Sequence, residues 1–136
     1  MDAGDALKQL IEESSQIEAA CIIDSTTTLA STLPDEVRTA AFVEAARALL
    51  AAAASVPHDA DAGPLAQLEA ATLEGSVFVV QDGERAVAAV TKSEPTVGLV
   101  FFDLKSCLRA AATPGDGDGK PRPKARKEAS PSESTA

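Results

Sequence analysis

"LEGSVFVVQDGERAVAAVTKSEPTVGLVFFDLKSCLRAA", residues 73–111, changes its hydrophobic period part-way along. Its first half holds two runs, SVFVVQ and AVAAVT, separated by DGER. Both runs read as strands, and Asp82-Gly83 is a tight-hairpin signal. Nearly every position from 76 to 80 and from 86 to 90 is apolar, so both faces of this hairpin require cover. After Pro95 the apolar residues fall three or four apart: Val97, Val100, Phe101, Leu104, Cys107, Leu108 and Ala111, with Asp103, Lys105 and Arg109 between them. Residue preference in VGLVFF favours a strand. The helical period persists from 97 to 111, however, and it predicts a helix there.

Upstream, Leu7, Leu10, Ile11, Ser14 and Ile17 recur at helical spacing around Lys8, Glu12 and Glu13, which predicts an amphipathic helix over about 4–17. EAACIID predicts a strand over about 18–24, STTT a connection, and LASTL a second short strand. Pro34-Asp35 breaks the chain and starts a helix, with Asp35 or Thr32 available as its cap. That helix, 36–55, carries one stripe of Phe42, Ala46, Leu49, Leu50 and Ala53 and a neighbouring stripe of Ala41, Ala45, Ala48 and Ala52. Alanine is the best helix former. From Ala48 to Ala54 no polar residue occurs, so the helix is expected to pack on two sides. SVPHDADAGP, 55–64, reads as a loop, and AQLEAATLEG, 66–75, as a half-exposed strand. The expected fold is α/β (α+β): a five-stranded, mainly antiparallel sheet in the order α-β-β-α-β-β-β-α, with helices on both faces.

The 136 residues fit one domain over 1–112 followed by a Gly/Pro/Lys/Ser-containing tail, 113–136, expected to be disordered. Residues 1–112 hold 7 Lys/Arg against 17 Asp/Glu, whereas the tail holds 5 against 4. So acidic a domain is a poor ligand for phosphate backbones, and no nucleic-acid partner is expected. It suits a basic protein partner instead. The first ten residues lack the basic and apolar pattern of a signal peptide, and the apolar runs fall short of a membrane span. Two cysteines far apart make no disulfide framework, so a reducing, cytoplasmic location is expected.

Chemistry-bearing residues are sparse. Cys21, in a predicted strand, and Cys107, on the apolar stripe of the last helix, read as small buried hydrophobes, since a nucleophilic Cys21 would need a nearby base. Asp24 with Ser25–Thr28 reads as a turn whose side chains bond its own backbone. His58, Asp59 and Asp61 lie in the acidic loop, and KPRPKARK, 120–127, in the tail. No Gly-rich loop ends in Lys-Ser/Thr, so the chain does not read as a GTPase itself. No catalytic residue, metal site or cofactor is expected.

The order of elements, with AACIIDSTTTLASTLPDE, the alanine-rich helix and the 73–111 segment, resembles the Roadblock/LC7 family, including its bacterial GTPase regulators of the MglB type. In the family the last helix starts near a Gly-Leu pair, here Gly98-Leu99. An Asp-Gly turn is usual in the first hairpin. This chain has Asp24-Ser25-Thr26-Thr27, which implies a longer or looser turn. The resemblance implies a non-enzymatic platform that pairs with itself, or with a paralogous Roadblock-like chain, and binds and regulates a small Ras-like GTPase. A purely structural scaffold subunit of a signalling complex is the alternative. In the family the second helices pair across the dimer axis and the third strands can join two sheets. The expected dimer stripe is therefore Ala41, Ala45, Ala48 and Ala52. The resemblance also places the partner-facing surface on those helices, with Asp35, Glu36, Arg38, Glu44 and Arg47 as its polar rim.

Overall fold

The computed structural model describes residues 1–56 and 65–112. The expectations for His58, Asp59 and Asp61 and for the tail fall outside these residues. The described elements are α1 (Ala3–Glu13), β1 (Ile17–Ile23), β2 (Thr28–Ser31), α2 (Glu36–Ala54), β3 (Leu65–Ala71), β4 (Gly75–Asp82), β5 (Arg85–Lys92) and α3 (Val97–Ala112). The five strands form one sheet in the order β2-β1-β5-β4-β3, and every neighbouring pair is antiparallel. The expected fold class and element order are thus those of the structure.

Helix α1 ends earlier than its apolar spacing predicts. Asp2 caps its start by accepting a hydrogen bond from the Asp5 N–H at 2.8 Å. The Ser14 N–H closes the last turn onto Leu10 O, and Ser14 is already extended, with φ −113° and ψ 111°. Ile17 opens β1 and is buried in the same core as Leu7 and Leu10. A strand residue facing the helix's own core therefore fell on the helical repeat and lengthened the apparent period.

Asp35, not Thr32, caps α2, accepting from the Arg38 N–H at 2.8 Å. Thr32 instead extends the β1–β2 pairing: its N–H donates to Ala20 O, and its Oγ1 accepts from the Ala20 N–H, both at 2.9 Å. Strand β3 stops at Ala71, short of residue 75, because Thr72 makes a turn there. The Thr72 N–H donates to Gly75 O at 2.8 Å, and its Oγ1 accepts from the N–H groups of Glu74 and Gly75. The β4–β5 loop is two residues long, and Gly83 takes φ 65° at its first position, where glycine carries no Cβ penalty. A Cβ on Gly75 would collide with the Thr91 carbonyl oxygen across the β4–β5 pair.

Period-two alternation divides the sheet's side chains between two cores. Ile22, Phe78, Val80 and Val87 face α1 and α3, packing with Leu7, Leu10, Val100 and Leu104. Cys21, Ile23, Val79, Ala86 and Ala88 face α2, meeting Val43 and Ala46. Helix α3 runs antiparallel to α1. The Thr96 N–H, just before α3, donates to Gln16 Oε1 at 2.6 Å, and Cys107 Sγ further along donates to Ala6 O at 3.5 Å. Helix α2 carries the chain across the opposite face, from edge strand β2 to edge strand β3.

Candidate functional site

Of the 19 residues of α2, only Val43 and Ala46 are fully buried. Phe42, Leu49 and Leu50 pack partly against the same core. Of the stripe Phe42, Ala46, Leu49, Leu50 and Ala53 read from the sequence, the first four pack toward the sheet, and Val43 joins them. Ala41, Ala45, Ala48 and Ala52 are all exposed. Their spacing of four, three and four puts them on one side of the helix. Val37, near its start, is 80% exposed. At the far end, Leu49, Ala52, Ala53, Val56, Leu68 and Glu69 line a shallow depression of about 440 Å³ between α2 and edge strand β3. An apolar ridge of small side chains thus runs along α2 and continues into an apolar hollow beside edge strand β3.

The polar residues near the start of α2 are not equivalent. Asp35, Glu36, Arg38 and Glu44 are exposed. Arg38 Nε lies 3.6 Å from Asp35 Oδ2, a solvent-exposed pair of little energetic weight. Arg47 is half-buried, and its guanidinium donates to Ser25 O at 3.1 Å and to Thr27 O at 3.5 Å. It therefore ties the β1–β2 turn to α2 as well as bordering the ridge. Nothing local in the sequence signals this, because the contact spans 22 residues.

The turn itself is built as expected. Asp24 Oδ1 accepts from the N–H groups of Thr26 and Thr27 at 2.9 and 2.7 Å and from the Thr27 hydroxyl at 3.0 Å. The backbone N–H groups of Thr26 and Thr27, followed by the Thr27 hydroxyl, lower the Asp24 pKa from 3.8 to about 2. The folded pKa lies below the unfolded one, so whatever stability the turn gains is complete above pH 3.8 and is lost as pH falls through about 2. An NMR titration of the Asp24 carboxyl carbon is expected to show a midpoint near 2, whereas a midpoint near 3.8 would show that the turn does not hold the carboxylate.

Neither thiol is poised for chemistry. Burial raises Cys21 to about 11 and Cys107 to about 12, so both are protonated at neutral pH. Cys21 sits under α2 and Cys107 between α1 and α3, on opposite faces of the sheet. Among the described residues, no group of three or more His, Cys, Asp or Glu could hold a metal ion. The described residues also contain no helix long and apolar enough to cross a membrane.

No family model and no curated protein matches the sequence. The architecture does find a counterpart among solved structures. The crystal structure of a Roadblock/LC7 domain from Streptomyces avermitillis superposes with a TM-score of 0.60, covering 78% of this chain and 94% of that one at 12% identity. The chain has a Roadblock/LC7 fold. At that identity the likeness is one of fold alone. Within the Roadblock/LC7 framework, the ridge of Ala41, Ala45, Ala48 and Ala52 lies on the helix that crosses the sheet between its two edge strands.

Proposed function

We propose that the chain is a cytoplasmic, non-enzymatic interaction module. It pairs with a second copy, or with a paralogous Roadblock-like chain, and binds and regulates a small Ras-like GTPase. The observation that carries this reading is the outward face of α2, where a helix crosses the whole sheet yet exposes a continuous stripe of alanines. Two such stripes can approach at the short end of the usual 8 to 10 Å between helix axes. The hollow beside Leu68 and the outer edge of β3 extend the same surface, so helix pairing and strand pairing can act together. In this reading Ala41, Ala45, Ala48 and Ala52 form the dimer seam. Asp35, Glu36, Arg38, Glu44 and Arg47 ring it as a polar rim that meets the GTPase. The acidic excess favours a partner with a basic contact surface and acts on the rate of encounter more than on the lifetime of the complex.

The test is co-purification from the native host, followed by hydrolysis assays on the small GTPase recovered. Binding with altered GTP turnover is the expected result. Binding with unchanged turnover would favour the scaffold role, and the absence of any small GTPase would overturn the reading. Arg38→Glu is expected to weaken GTPase binding in calorimetric titrations without disturbing the dimer, whereas Lys8→Glu on α1 is expected to change little. Arg47→Glu is a less clean probe, because it also removes the hydrogen bonds to the β1–β2 turn.

A further inference from the structure

The face opposite α2 carries a second surface feature that the proposed role of α2 does not use, a groove whose lining mixes apolar with polar and acidic side chains. Antiparallel α1 and α3 leave a groove of about 110 Å³ between them, lined by Ala6, Leu10 and Glu13 on one side and Phe102, Asp103 and Ala110 on the other. Liquid water occupies about 30 Å³ per molecule, so the groove has room for a small apolar side chain. Phe102 borders it at 63% exposure, and Leu99, one turn earlier, is 48% exposed. The charged groups lining the groove, Glu13 and Asp103, are both acidic. Asp2 and Gln9 recur with Glu13 at helical spacing along the same side of α1.

A complement to this groove is present in the same chain. Helix α3 ends at Ala112, and residues 120–127 are KPRPKARK, in which five cations surround two prolines. Phe102 lies ten residues back along α3, about 15 Å at 1.5 Å per residue. Residues 113–119, TPGDGDG, can span up to about 24 Å, so the basic stretch can return to the groove. A proline ring matches the groove in size and brings no N–H to desolvate. Lysine and arginine on either side of it match Glu13 and Asp103 in sign.

We propose that residues 120–127 of the same chain dock in the α1–α3 groove, with a proline against Phe102 and cations beside Glu13 and Asp103. The contact is electrostatic and exposed, hence weak and salt-sensitive. It lies across the sheet from the α2 ridge, so it stands or falls independently of the role proposed for that ridge.

The test uses the intact chain with a nitroxide attached at Ala125→Cys, Cys21 and Cys107 being buried. The label is expected to broaden the amide signals of Gln9, Glu13, Phe102 and Ser106 selectively. The broadening is expected to disappear at about 1 M salt, where the Debye length is about 3 Å. It is also expected to disappear in the Phe102→Ala/Asp103→Lys variant, whose substituted side chains lie at the surface. Uniform weak broadening, or broadening centred on α2, would overturn the proposal. So would broadening of the α1–α3 groove that appears only between copies in a mixture of labelled and spin-labelled chains, since that would place the tail on a second copy.

Discussion

In the proposed dimer, Ala45→Glu or Ala48→Glu is expected to yield a monomer while leaving the fold intact. Both alanines are exposed in the single chain, so a glutamate there costs the isolated fold little, within about 0.5 kcal/mol. At a helix–helix seam the same carboxylate loses its water and gains no partner, because in the proposed pairing it faces alanines of the second copy. An unpaired charge in such a place costs about 3–5 kcal/mol. Each 1.4 kcal/mol is tenfold in affinity, so dimer dissociation is expected to strengthen by a factor of at least about a hundred. Circular dichroism and thermal melts, taken alongside sedimentation, separate the two effects. A variant that loses its helical signal would place the alanines in the folding core, and a variant that stays dimeric would place the seam elsewhere.

Phe78→Ala is expected to produce the largest loss of stability from a single substitution. Phe78 is fully buried at the centre of the α1–α3 core, and its ring meets that of Phe101 edge-on at 5.0 Å between centroids. Truncation leaves a cavity among residues that cannot collapse onto it, at a cost of about 3–5 kcal/mol. Domains of this size hold only about 5–15 kcal/mol in total, so much of the stability is removed. The midpoint of thermal unfolding is expected to fall by about 10 °C or more. Phe102→Ala serves as the control: it removes the same ring from a site 63% exposed and is expected to shift the midpoint far less. Equal effects at the two positions would contradict the assignment of the core.

Much of the architecture was legible because the two halves of the 73–111 segment obey different periods. Strands 76–80 and 86–90 are apolar on both faces, which demanded helices above and below the sheet. The helical repeat after Pro95 outweighed the strand preference of VGLVFF, and α3 follows that repeat through Val100, Leu104, Cys107, Leu108 and Ala111. Local signals failed where tertiary contacts decide. Ile17 satisfied the helical spacing of α1 from within a strand. Thr32 had the chemistry of a cap but bonds across to Ala20. Arg47, read from the sequence only as a rim residue, also anchors a turn 20 to 22 residues earlier. Those partners are distant in sequence, so no window along the chain contains both ends of the contact. The α1–α3 groove escaped for the same reason, since its two walls lie about 100 residues apart and the sequence showed Phe102 only as one of two adjacent phenylalanines.

The alanine stripe of α2 was legible as an anomaly, a helix with no polar face over its last turns. Among the described residues, only one side of it is covered. Whether a second copy covers the other side is most directly tested by sedimentation velocity on the intact chain at micromolar concentration. A dominant species of twice the 13.9 kDa chain mass is expected, persisting on dilution through the micromolar range. A single species at 13.9 kDa throughout that range would contradict the pairing of α2 and the function proposed from it.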